Sequence, residues 1–241
     1  MILHEVEAGS PQWFAARSGI PTASAFHRIL TPAKEELASG RWSYAFELAI
    51  ERLLGESKQT IDGLQWVERG KMLEPDAVQH YEFVQDTRTV RAGFITTDDG
   101  RMGCSPDRIM VDTIGGLEIK CPSAPKHLEY FIKGPGPDYR CQVMGSLLIT
   151  GFPWWDFQSF HPQLPEVLIR FERDEPFIAK LKTALDQFCD ELDEVCEKVK
   201  AAGYVPSPQH SADPVDDAYG EMMRSDMNAA GHIIEQSNWG G

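Results

Sequence analysis

The chain has 241 residues, 42% hydrophobic and 25% charged, the composition of a globular protein long enough to bury a core. Its formal net charge of −14 weighs against a nucleic-acid binder at first sight, because phosphate-binding proteins carry a basic footprint. No apolar stretch is long enough to span a bilayer, Met1-Ile2-Leu3-His4-Glu5 does not begin a secretory signal, and five cysteines without a Cys-x-x-Cys pair exclude a disulfide framework and a zinc ribbon, so the expected location is a reducing cytoplasm.

Thr22-Ala23-Ser24 precedes a short apolar-periodic stretch at 25–30 and predicts a capped helix. Residues 42–54 read as a helix with Phe46, Ala49, Ile50 and Leu53 on one face and Gly55 at its end. Helical spacing returns over 64–84, where Pro75 suggests a division into two pieces. The period then changes. Residues 89–96, 105–112 and 116–120 read as strands, punctuated by Asp98-Asp99-Gly100 and Thr113-Ile114-Gly115-Gly116. After a Pro/Gly-rich loop at 133–137, Asp138 is placed as the cap of a helix ending near Thr150. Two more strands follow at 154–160 and 166–172.

The last strong element is a helix at 175–202, with Asp174 as N-cap, Gly203 as its stop, and an apolar stripe of Phe177, Leu181, Ala184, Phe188, Leu192, Val195 and Val199. The expected organisation is one domain over 1–204 and a polar, flexible tail over 205–241 with a weak helix at 218–234. Strands between helices in mixed order indicate an α/β or α+β domain whose central mixed sheet is flanked by helices.

Ser105-Pro106-Asp107, ten residues, then Glu118-Ile119-Lys120 is the most informative pattern. Side chains alternate along a strand, so Glu118 and Lys120 share a face, and a turn at Gly115-Gly116 brings Asp107 across from Glu118. Two carboxylates and an ammonium suit metal-assisted phosphodiester hydrolysis. Hard oxygen donors bind Mg²⁺, the metal polarises a phosphate and acidifies a water, and a lysine orients that water or stabilises charge. Two ions roughly 3.5–4 Å apart would serve both attacking and leaving oxygens. Spacing alone fits a charged surface hairpin equally well. Charge distribution helps the functional reading: residues 1–140 carry 16 Lys+Arg against 20 Asp+Glu, whereas residues 141–241 carry 7 against 17. The acid excess therefore sits mainly away from the motif, which leaves room for a locally basic groove.

Cys104-Ser105-Pro106-Asp107 together with Leu117-Glu118-Ile119-Lys120-Cys121-Pro122 resembles the phage lambda exonuclease family, the YqaJ-type viral recombinases of the PD-(D/E)XK nuclease superfamily. Gly70-Lys71-Met72-Leu73-Glu74 resembles its upstream acidic helix motif. Trp13, Arg17 and Thr22-Ala23-Ser24 resemble its N-terminal motif, and Gln142-Val143 its glutamine-containing helix. The resemblance implies a restriction-endonuclease-like core. It implies a Mg²⁺-dependent enzyme, with Mn²⁺ able to substitute and two ions per site, that degrades one strand of duplex DNA 5′→3′ and leaves 3′ single-stranded overhangs. It further implies a ring-shaped homotrimer, duplex ends carrying a 5′ phosphate as substrate, a single-strand annealing protein as partner, and work inside a bacterial or prophage-infected cell.

The implied catalytic residues are Glu74, Asp107, Glu118 and Lys120. The implied metal ligands are Asp107, Glu118 and the Ile119 carbonyl, and the implied 5′-phosphate pocket is Arg17, Ser24 and Gln142. Val67 falls at the family's wedge against the terminal base pair. The family's second aspartate aligns with Thr97, where only Asp98 or Asp99 could substitute.

Other readings stay open. Arg17 alone is an ordinary surface arginine, Ser24 a helix cap, Gln142 a solvated position and Glu74 a local capping residue. His80, His127 and His161 lack metal-ligand spacing. The same triad serves an endonuclease, and an inactive DNA-end-binding scaffold or a small-phosphoester hydrolase are the alternatives of other kinds.

Overall fold

The computed structural model describes residues 1–55 and 64–205, with the side chains of 64–68 excepted. The expected tail, apart from Val205, and the side chain of Val67 lie outside the described residues. In chain order the elements are β1 (Ile2–His4), α1 (Pro11–Arg17), a 3₁₀ segment (Ala23–Arg28), β2 (Leu30–Thr31), β3 (Glu36–Leu37), α2 (Arg41–Leu54) and α3 (Leu64–Gln85). There follow β4 (Thr89–Val90), β5 (Phe94–Thr96), β6 (Gly103–Cys104), β7 (Arg108–Met110), β8 (Gly116–Lys120), α4 (Ala124–Lys133), α5 (Pro137–Thr150), β9 (Trp154–Ser159), β10 (Val167–Glu172) and α6 (Glu175–Ala201).

The central sheet has five strands in the order β10-β9-β8-β7-β4, mixed as expected: β8 and β9 run parallel, the other neighbours antiparallel. A separate three-stranded sheet, β1-β5-β6, forms a second layer. Alternation along β8 divides its surroundings. Leu117 and Ile119 pack with Ala77, Val78 and Tyr81 of α3. The main core lies elsewhere, where Trp155 of β9 meets Leu147 of α5 and Leu181, Phe188 and Leu192 of α6.

Several expectations are corrected. The stretch 89–96 is two strands in different sheets, broken at Gly93. Gly93 has φ 61°, and a Cβ there would lie 2.5 Å from the His4 carbonyl, so the chain turns where only glycine fits. The stretch 105–112 shrinks to β7, because Cys104 still belongs to the other sheet and Pro106 cannot join a ladder. Pro75 does not divide α3, which runs through it. The capped helix at 25–30 is the 3₁₀ segment, with Thr22 at its N-cap position and Ser24 inside it. Helix α5 begins at Pro137 after Gly136, so Asp138 lies in its first turn rather than at the cap.

On α2 the buried face is Tyr44, Ala45, Leu48, Ala49 and Leu53, whereas Phe46 and Ile50 are exposed. Helical periodicity finds the helix but cannot choose between two apolar stripes. Gly115 and Gly116 also act differently than expected. Neither has a positive φ; they leave room for the Trp154 and Trp155 rings, which a Cβ would meet at 2.3 and 2.4 Å.

Helix α3 is tied to the sheet by a buried polar group. Asp156 on β9, 1% exposed, accepts from the Tyr81 hydroxyl at 2.7 Å and from Arg170 Nε and Nη2 at 2.8 Å each. Burial and Asp156 together raise the Tyr81 pKa, keeping its hydroxyl a donor. Helix α4, absent from the sequence reading, is pinned by the buried His127. Its Nε2 donates to the Pro165 carbonyl at 2.9 Å, and its Nδ1 pairs with the Ser159 hydroxyl at 2.8 Å. Helix α6 holds to the expected limits, and Asp174 caps it by accepting from Phe177 N at 3.1 Å.

Replacing Asp156 with Ala leaves the buried Tyr81 hydroxyl without its acceptor, and the expected cost is about 2–3 kcal/mol. Urea denaturation checks it; an unchanged midpoint would show that α3 is held by apolar packing alone.

Candidate functional site

Asp107 lies one residue before β7, and the register Arg108↔Leu117 carries it opposite Glu118. Its Oδ2 accepts from the Ile119 backbone N–H at 2.6 Å, so the carboxylate is fixed against the middle of β8. Glu118 is 3% exposed and is held by the Lys120 ammonium, its neighbour on the same face of the strand. Burial and repulsion from Glu118 push the Asp107 carboxyl up to about 7. Burial pulls Lys120 down, but Glu118 and Asp107 outweigh it, and the net shift is upward. The ammonium is therefore held as a cation by Glu118, with Asp107 near enough for its charge to act on it.

A cavity of about 510 Å³ opens beside Lys120, lined by Gly70, Ile119, Cys121, Lys126 and Tyr139 among others. The Tyr139 ring centroid is 5.7 Å from Lys120 Nζ, and the Tyr139 hydroxyl accepts from Tyr130 at 3.0 Å. Glu74 approaches from α3. Its Oε1 lies 3.8 Å from Arg91 and 3.9 Å from Arg108, and its charge contributes to the upward shift of Asp107.

A second cluster forms around Arg17 at the end of α1. Its Nη1 donates to the Ser105 hydroxyl at 2.6 Å and its Nη2 to the Thr22 hydroxyl at 3.4 Å, and its guanidinium stacks 4.0 Å over the Trp13 ring. Burial lowers its pKa, although it stays a cation. Ser24 joins through Thr22, the two hydroxyl oxygens lying 3.4 Å apart. Gln142 lies on α5, which packs closely on the 3₁₀ segment: a Cβ at Gly145 would meet the Phe26 ring at 2.4 Å. Arg17, Ser24 and Gln142 are thus carried by adjoining elements, while no hydrogen bond joins the Gln142 side chain to the other two among the described residues. The sequence groups Thr22 with Arg17 in the N-terminal motif but not as a pocket residue, and Ser105 was not anticipated in this cluster, although it had a signal, being two residues before Asp107. Two residues of chain span at most about 7 Å, which puts the Arg17 cluster beside the carboxylates.

Asp98 and Asp99 are engaged elsewhere. Asp98 pairs with the N-terminal ammonium, and Asp99 accepts from the Thr97 hydroxyl and from Arg101 N at 3.1 Å. Among the described residues no three His, Cys, Asp or Glu side chains converge to hold a metal ion. The oxygen donors at β8 are two carboxylates and a main-chain carbonyl, which fits a hard cation that keeps several waters, such as Mg²⁺.

Residues 12–153, more than half of the chain, match the model of the YqaJ-like viral recombinase domain. The chain belongs to that family. It is similar to an alkaline exonuclease, LHK-Exo, from Laribacter hongkongensis: 33% identity over 80% of this chain and 97% of that one, with a TM-score of 0.71. The same protein in complex with dAMP matches at 32% identity over 80% and 97% of the two chains, TM-score 0.72. A phage-related exonuclease from Haemophilus somnus 129PT shares the fold, with a TM-score of 0.61 at 16% identity over 75% and 96% of the chains. These likenesses place the chain on the PD-(D/E)XK fold. No curated protein matches it. No helix among the described residues is long and apolar enough to cross a membrane.

Two thiols flank the site, and burial pushes Cys104 up to about 12 and Cys121 up to about 11. At neutral pH both are protonated and weakly nucleophilic. Iodoacetamide treatment followed by mass spectrometry should show no rapid addition at either position; fast alkylation of Cys104 would contradict its burial.

Proposed function

We propose that this chain is a Mg²⁺-dependent nuclease that digests one strand of duplex DNA from a 5′-phosphorylated end and leaves a 3′ overhang for recombination by single-strand annealing. One observation carries the reading. In a chain of the YqaJ-like family, Asp107, Glu118 and Lys120 meet at the β7–β8 pairing, with the Arg17 cluster attached two residues away through Ser105. The similar LHK-Exo, an alkaline exonuclease with a dAMP complex, supports an exonuclease acting on DNA.

Asp107, Glu118 and the Ile119 carbonyl would hold the metal, which when bound supplies Lewis-acid polarisation of a phosphate and a more acidic water. Lys120 acts as a cation. Held beside Glu118, it can orient the attacking water and stabilise charge on the phosphate. Glu118 aims that ammonium, and Glu74 stands where it can orient a water. Arg17, held by Ser105 and Thr22 and backed by Trp13, presents a guanidinium suited to bidentate phosphate recognition, with Ser24 and Gln142 completing the pocket. A terminal phosphate bound there puts the next linkage toward the carboxylates, which favours stepwise cutting from the 5′ end. A ring-shaped homotrimer around the duplex and an annealing protein as partner belong to the same proposal, as does work in the cytoplasm of a bacterial or prophage-infected cell.

A timed digest of linear duplex with Mg²⁺ should shorten only the 5′-ended strands, stop in EDTA, and spare a sealed circle. Degradation of the circle would make the protein an endonuclease. Asp107→Asn and Lys120→Gln, each checked for folding by thermal melting, should lose about 10²-fold or more in rate. Arg17→Ala should cut slowly and no longer prefer a 5′ phosphate over a 5′ hydroxyl; a retained preference would move the phosphate pocket elsewhere.

A further inference from the structure

The chain carries 37 acidic and 23 basic residues, so most arginines can find a carboxylate, and several of the described ones away from the site do. Arg28 meets Glu47 at 2.9 Å, Arg41 meets Glu191 at 2.8 Å, Arg101 meets Asp190 at 2.6 Å, and Arg170 meets Asp156 at 2.8 Å. Beside Asp107 the pattern breaks. Arg91 and Arg108 both face one carboxylate oxygen, Glu74 Oε1, from 3.8 and 3.9 Å, beyond hydrogen-bond reach. Arg108 Nε is buried and has no partner. The two guanidiniums share the one carboxylate within ion-pair distance, and Arg108, the residue after Asp107, feels the charges of Asp107 and Glu82 without forming an ion pair with either. Both keep open surface, 46% of the Arg91 side chain and 16% of the Arg108 side chain.

A guanidinium has five donors, and the edge turned to Glu74 uses few of them. The missing partner is an anion with several acceptor oxygens that reaches the site from solvent. We propose that Arg91 and Arg108 grip a backbone phosphate of the DNA next to the linkage being cut, a contact separate from the terminal-phosphate cluster at Arg17. The proposal rests on the nuclease reading and adds two substrate-binding residues to it. It also answers the charge paradox of an acidic DNA-binding protein: its contact with DNA comes from arginines whose donors the nearby carboxylates leave mostly unused.

Binding of a fluorescein-labelled duplex, followed by anisotropy in EDTA over a series of KCl concentrations, tests it without cleavage. Each phosphate contact contributes about 0.9 to the slope of log K against log salt. Arg91→Gln and Arg108→Gln should each lower the slope by that amount and weaken binding equally on unrelated sequences, and Arg91→Lys should restore it. Arg88→Gln, which removes an exposed arginine already paired with Asp112, should leave the slope unchanged. If the two arginines only position Glu74, the turnover rate falls while both slopes stay at the unaltered value, and the proposal is overturned. Arg108 is partly buried, so the exposed Arg91 carries the test if Arg108→Gln does not fold. Failure of the unaltered protein to bind any duplex would remove the nuclease reading along with this proposal.

Discussion

The pairing of β7 with β8 forces two carboxylates together at a place with little water. Asp107 and Glu118 repel each other, and burial raises the cost of keeping both ionised. The fold answers with a main-chain N–H from Ile119 on one carboxylate and the Lys120 ammonium on the other. One ammonium cannot neutralise two carboxylates, and the residual strain appears as the raised Asp107 pKa. A divalent cation held by these carboxylates would relieve it. The unfavourable charge arrangement is thus a feature that would favour a bound cation, as is common where function is built into a fold.

The rest of the domain holds that pairing in place. Leu117 and Ile119 bury one face of β8 against α3, and Asp156 locks α3 through Tyr81, so Glu74 is delivered from a helix that cannot drift. On the other side α1 and the 3₁₀ segment close on Ser105, which ties the Arg17 cluster to the Asp107 turn. The site is assembled from segments far apart in sequence, and each is anchored by a buried contact of its own.

Much of this was legible beforehand, and what was not has identifiable causes. The long helix α6 announced itself through a seven-residue apolar stripe, an Asp cap and a Gly stop, and it ends within one residue of the expected limit. Asp107, Glu118 and Lys120 could be brought together on paper because strand alternation is a period-two rule that needs no tertiary information. Failures came where tertiary contacts decide. Periodicity could not choose the buried face of α2, because Phe46 and Ile50 are as apolar as Leu48 and Leu53. Gly93 did not show that its neighbours belong to two sheets, nor did Gly115 and Gly116 show that two tryptophan rings need their space. Ser105 lies far from Arg17 in sequence, and the loose pairing of Arg91 and Arg108 with Glu74 exists only in three dimensions.

The central claim is that the β7–β8 pairing builds a divalent-cation site. Crystals soaked in Mn²⁺ test it directly through the anomalous signal of the metal. The account predicts a peak at the Asp107 and Glu118 carboxylates and the Ile119 carbonyl. A peak elsewhere with these oxygens unliganded, or no peak at Mn²⁺ levels that support cleavage, would contradict it.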